Sequence, residues 1–130
     1  MLKSVHDAKL VSYTVNEDEN TILLETFHKG VSARDYKKIK FSDVLAYFFE
    51  NHSIQLGTII FDIREINADT ILENNWNKFE SGKKWGWPGD WADSKEKARA
   101  HFAKNYIKAY EIDSTCGLCG WVLAQDMEIY

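Results

Sequence analysis

The residues best suited by type and spacing to chemistry are Cys116 and Cys119, within Ser114-Thr115-Cys116-Gly117-Leu118-Cys119-Gly120-Trp121. Two thiols three positions apart suit a dithiol–disulfide couple, half of a tetrahedral zinc site, or a plain turn. A redox pair of the thioredoxin kind opens a helix, because the helix N-terminus stabilises the attacking thiolate. Here the motif stands between two segments of period-two pattern, and Gly117 and Gly120 give the backbone freedom that a hairpin loop needs. Zinc asks for four ligands, whereas the chain has no other cysteine and His6, His28, His52 and His101 are scattered. The turn is the preferred reading, and no metal or other cofactor is expected. Other catalytic sets are thin. His6 and Asp7 are neighbours, so on an extended strand they point to opposite faces. Neither a G-x-S-x-G elbow nor a G-x-x-x-x-G-K phosphate loop occurs.

A second unusual stretch is Lys83–Ser94, KKWGWPGDWADS, with Trp85, Trp87, Trp91 and the only proline. Its rings, with Trp76 nearby, suit three roles: core covering a sheet, an anchor for a protein interface, or a stacking platform for a sugar. Core packing is the preferred reading, with the interface next. Asp90, among Lys83, Lys84 and Asp93, belongs to a polar rim in each case. Asp62, Arg64 and Glu65 read as a solvated strand face with cross-strand pairing, which is also a usable docking surface. The residues assigned to partner contact are therefore Trp85, Trp87, Trp91, Asp90, Asp62 and Glu65.

The elements that must position these residues follow from composition and periodicity. At 130 residues, 45% hydrophobic and 14% aromatic, the chain suits one domain spanning 1–130. Such a length buries roughly two thirds of the unfolded surface. The net charge of −4 is spread evenly, with eight Lys/Arg against ten Asp/Glu in residues 1–65 and the same in 66–130. No basic face supports nucleic-acid binding, and an acidic protein attracts basic partners. The opening lacks an apolar segment with a cleavage site, and the apolar run within VLAYFF (44–49) is too short to span a bilayer, so a cytoplasmic location is expected.

Residues 8–15 and 21–27 read as a hairpin about the turn NEDEN (16–20), with Val11, Tyr13 and Val15 on one side. A third strand covers 35–41, with Ile39 and Phe41 inward, and 42–51 fits a strand or a helical turn equally well. In 58–66, Ile59, Phe61 and Ile63 alternate with Ile60, Asp62 and Arg64. Helical spacing of Ile71, Leu72, Trp76 and Phe79 marks 67–82, with Gly82 as a stop. Asp93 with Glu96 resembles a capping box before a helix whose stripe is Ala98, Phe102 and Tyr106. Residues 106–112 and 121–130 close the chain as strands, the latter alternating Leu123, Gln125, Met127 and Ile129 with their neighbours. The fold class is α+β: a single antiparallel sheet of about six strands, with one or two helices inserted before a C-terminal hairpin.

The opening HDAKLVSYTVNEDENTILLETF, then Phe41, Val44, Tyr47 and Phe49, then Ile60, Ile63 and Glu65, and finally GLCGWVLAQDMEI with Gly117, Gly120 and Trp121 at the bend, form a wider pattern. It resembles a set of small bacterial proteins, several of which resemble immunity proteins of bacterial toxin systems. The segment from Leu72 to Asp93 departs from that pattern. The resemblance implies a non-catalytic protein-binding module that neutralises a basic protein toxin, and it assigns no binding residue. A small thiol-dependent redox enzyme using Cys116 and Cys119 is the alternative, and carbohydrate binding by the tryptophan loop is the third reading.

Overall fold

A computed structural model describes residues 7–29 and 34–130, with the side chains of Lys29, Arg34 and Phe61 outside the description; His6 also lies outside it. Six strands form: β1 (Ala8–Asn16), β2 (Thr21–Lys29), β3 (Arg34–Glu50), β4 (Ile59–Ile66), β5 (Lys108–Cys116) and β6 (Cys119–Ile129). Every pairing is antiparallel, and the order β1-β2-β3-β6-β5-β4 closes into a barrel where Ala8 and Lys9 meet Ile60 and Ile59. Helices α1 (Ala68–Gly82) and α2 (Lys95–Lys104) lie between β4 and β5, ahead of the C-terminal β5–β6 hairpin. This is the α+β class expected from sequence, with closure of the sheet added.

Alternation along the strands builds two cores. Inside the barrel, Leu10, Ile22, Leu24, Ile39, Phe41 and Val122 are among a cluster fed by all six strands. On the outside, α1 and α2 cover β3, β5 and β6, and Phe79, Phe102 and Trp91 pack onto Ala46, Trp121 and Leu123. Strands covered on both faces carry continuous apolar runs rather than alternating ones. That is why 42–51, ambiguous by pattern, continues β3, with Tyr47 and Phe49 toward the barrel interior and Ala46 and Phe48 toward the helices.

Bulges override simple alternation in three strands. In β1 the register shifts between Leu10 and Ser12. Ala8 and Leu10 face inward before the shift and Tyr13 and Val15 pack inward after it, so Val11, expected on their side, is 58% exposed. In β4 the register shifts on both sides of Ile60, and Ile60 and Ile63 pack against the same core where alternation sets them on opposite faces. In β3 it shifts between Val44 and Ala46, next to Asp43 at φ +52°. The partner strand β6 follows this bend. Leu123 faces the helices while Met127 and Ile129 pack toward the barrel, so the single alternating face expected for 121–130 splits in two.

Asn67 caps α1 by accepting from Asp69 N at 2.9 Å. The cap of α2 is Ser94, whose Oγ accepts from Lys97 N at 3.1 Å, in place of the expected Asp93. Asp93 instead ends a short 3-10 turn over Asp90–Ala92. The helices are tied by Glu73, which pairs with Lys95 at 3.0 Å and with Arg99. The Lys95 hydrogen bond, helped by both positive charges, holds this carboxyl below the usual range.

At its far end α2 closes with Asn105 N donating to His101 O and Ile107 N donating to Phe102 O. Tyr106 sits between them at φ +55°, the left-handed position that usually takes glycine. The chain turns there, so Tyr106 leaves the Ala98–Phe102 stripe and is 80% exposed, and β5 starts at Lys108. Its ring contributes little burial, whereas its Cβ strains the backbone. Tyr106→Gly is therefore expected to stabilise the protein by about 1 kcal/mol. A thermal melt that moves down, or stays in place, counts against this.

Candidate functional site

The tryptophan loop divides. Trp91 is 7% exposed and packs against Phe79, His101 and Phe102. Trp87 is half-buried against Phe48, Phe79 and Trp121, and the Trp87–Pro88 peptide is cis. Only Trp85 stands out, at 80% exposure, with Lys84 Nζ 5.5 Å from its ring centre. Of the residues assigned to partner contact, Trp91 is thus core, Trp87 offers one edge, and Trp85 and Asp90 are on the surface. No flat platform of three rings forms for a sugar.

Asp62 and Glu65 take opposite faces of β4. Asp62 stands opposite Asp113 and accepts from Ile63 N at 2.9 Å. Next to it Arg64 pairs with Glu111 at 2.6 Å and reaches Asp113 at 3.9 Å. Glu65 is registered with Tyr110, whose ring belongs to the barrel interior. Burial, then the charges of Glu65 and Asp126, push the Tyr110 phenol up to about 12, so it stays a neutral hydroxyl at physiological pH. The six assigned residues do not converge on one surface.

Cys116 ends β5 and Cys119 begins β6, as the turn reading expects. The β5–β6 pairing stops at Ile112 and Gly120; beyond it β5 follows β4 to Cys116–Ile59, while Cys119 stands opposite Glu50 of β3. The loop is pinned inward by Leu118 N donating to Thr58 Oγ1 at 2.9 Å and by Ser114 Oγ donating to Leu118 O. Gly117, at φ +84°, passes so close that a Cβ would stand 2.3 Å from both Gly57 O and Thr58 Oγ1. Cys116 is exposed, and Asn51 Nδ2 donates to the half-buried Cys119 Sγ at 3.7 Å. The helix N-terminus that activates a thiolate in a thioredoxin-like site is not adjacent, since the motif joins two strands. Among the described residues no three His, Cys, Asp or Glu side chains gather to hold a metal.

A site that the sequence did not mark lies at the rim of the barrel. The β1–β2 hairpin tip, the bent middle of β3 and the Trp87–Pro88 segment enclose a cleft of about 200 Å³. Val15, Leu45, Tyr47, Trp87 and Pro88 give it an apolar wall, and Asn16, Glu17, Asn20 and Thr21 of the hairpin tip line it as well. Around Val15 and Tyr47 the surface continues into a shallower depression that includes Glu17 and Asp18. Val44 N donates to Asn20 O at 2.8 Å and Asn16 Oδ1 accepts from Glu19 N at 3.1 Å, which fixes the hairpin tip against β3. Glu17, Asp18 and Glu19 have no ion-pair partner among the described residues. Glu17 and Asp18 thus carry charge unpaired among the described residues beside the ring of Tyr47, and it attracts a cation that carries apolar groups. Composition marks 16–20 only as a turn.

No helix of the described residues is long and apolar enough to cross a membrane. No family model matches the chain, and no curated protein matches it.

Proposed function

We propose that this chain is a non-catalytic, cytoplasmic protein-binding module that captures a basic partner protein. The resemblance of its motifs to immunity proteins makes a bacterial toxin the expected partner. The observation that carries this reading is the cleft walled by Tyr47, Trp87 and Pro88 beside the carboxylates of Glu17 and Asp18, which have no ion-pair partner among the described residues. Exposed Trp85 and Asp90 on the loop that carries Trp87 supply further contact surface. Aromatic anchors within a charged rim are the arrangement that concentrates binding energy at interfaces, and unneutralised charge speeds the encounter.

The test is co-expression with the product of the adjacent reading frame in the native genome, followed by binding kinetics at low and high salt. A tight complex is expected, with an association rate that falls with salt. Reversing Glu17, Asp18 and Glu19 to lysine is expected to slow association roughly tenfold or more at low salt. Absence of a complex, or a rate indifferent to the triple reversal, overturns the reading.

A further inference from the structure

β1 is a paired barrel strand for only part of its length. On one side it runs with β2 from Lys9 to Asn16. On the other, β4 meets only Ala8 and Lys9, and Leu10 N then donates to Thr58 O at 3.0 Å. From Val11 to Asn16 that second edge has no strand and no other backbone hydrogen bond among the described residues. An edge of this kind turns alternate N–H and C=O groups outward, as a template for another strand.

The usual guards are weak here. The segment Val11-Ser12-Tyr13-Thr14-Val15-Asn16 has no charge and no proline, only the bulge at its start. Beside that start is a groove of about 520 Å³ between β1 and the 51–58 segment. Ile54 and Leu56, at 93% and 80% exposure, line it together with Val11 and Tyr36. Four of the large exposed apolar side chains thus collect in one place, a concentration that marks interaction surfaces. At the other end of the same edge lies the depression around Thr14, Val15 and Tyr47, with Glu17 and Asp18. The six residues of the edge span about 20 Å at strand rise.

We infer that the open edge of β1 receives an extended segment of a partner protein as an added strand. Its backbone bonds to Val11–Asn16, an apolar side chain enters the groove beside Ile54 and Leu56, and a basic side chain meets Glu17 and Asp18. This rests on the protein-binding reading and states how the partner is held. Only a polypeptide answers both features at once: a lipid surface satisfies no backbone donor or acceptor. The open edge of a second copy, Val11–Asn16, carries no cation, and the nearby Lys9 belongs to the part of β1 already paired with Ile59 of β4.

The test has two stages. In the free protein, amide exchange followed by NMR is expected to show alternate residues of 11–16 exchanging roughly tenfold or more faster than those bonded to β2. Uniform protection of the six amides overturns the proposal. Random peptides of about twelve residues, displayed and selected on the intact protein, then serve as the probe. The selected peptide is expected to protect the open amides. N-methylation of one alternate set of its residues should weaken binding roughly tenfold, with little effect from the other set, because only one set faces β1. A selected peptide that protects amides elsewhere, such as the Trp85–Asp90 loop, overturns the edge and leaves the protein-binding reading standing. Failure to select any peptide overturns the edge as well, while the complex with the adjacent gene product judges the wider reading separately. A concentration-dependent dimer protecting these same amides overturns it in favour of a second copy.

Discussion

Gly120→Ala is expected to remove a large share of the folding stability. Gly120 lies in β6 between Phe49 of β3 and Ile112 of β5. At its φ of +156°, a Cβ would stand 1.9 Å from Phe48 O, 2.9 Å from the carbonyl carbon and 3.1 Å from Phe49 Cα. These are backbone atoms, so no rotamer change relieves the overlap, and β3 itself must retreat. It cannot do so cheaply. Phe48 packs outward against Trp87 and Trp121, and Phe49 packs inward against Tyr13 and Tyr47, so a shift of the strand loosens both cores. A cost of about 4–5 kcal/mol or more follows from overpacking combined with backbone strain, against a typical stability of about 5–15 kcal/mol. Urea unfolding followed by circular dichroism checks this. A loss below about 1 kcal/mol would mean that β3 and β6 approach each other less closely than the glycine implies.

The pattern of what periodicity revealed has a physical basis. Hairpin β1–β2 was readable because NEDEN is strong turn chemistry between two β-rich runs, and α1 because Ile71, Leu72, Trp76 and Phe79 repeat at helical spacing. The second half of β3 was not, because burial on both faces removes the alternation that distinguishes strand from helix. Barrel closure joins Ala8 to Ile60 through two residue pairs, and no local pattern records so long a connection. The α2 cap was misplaced by one residue because Asp93 and Ser94 are both good caps, and only the preceding 3-10 turn decides between them.

The site was less legible still. Composition raised the question of whether the tryptophans were core or surface, but could not separate Trp85 from Trp91. A 3-10 turn over Lys83–Trp85 leaves the first ring outside, while the chain folds the last beneath Gly89, so that a Cβ on Gly89 would stand 2.8 Å from Trp91 Nε1. The rim cleft combines residues near 15–22, 44–47 and 87–88, three stretches that meet only in the fold. Carboxylates in a turn are normally just solvated. What singles out Glu17 and Asp18 is the apolar wall beside them, and that wall comes from other elements.

The wall depends on one residue that contacts none of the solvent. Phe79 of α1 is fully buried, with Trp87, Trp91 and Trp121 edge-on to it at ring distances of 5.3, 5.8 and 5.8 Å. Phe79→Ala is expected to cost about 3–5 kcal/mol, the range for truncating a buried phenylalanine. Phe79→Leu, which refills much of the volume, is expected to recover more than half of that. Chemical denaturation separates the two variants. Tryptophan emission reports the local consequence, since four indoles, Trp76 included, lose a shared neighbour and an emission shift is expected in the folded alanine variant. Trp87 also lines the rim cleft. Loosening its inner support moves the cleft wall without altering Glu17, Asp18 or Glu19. If the binding reading holds, Phe79→Ala therefore lengthens the lifetime of nothing and shortens that of the complex, while the charge-steered association rate stays near that of the parent. Hot-spot packing acts on dissociation and unpaired surface charge on encounter. An unchanged dissociation rate in a folded Phe79→Ala protein would place the contact surface away from Trp87.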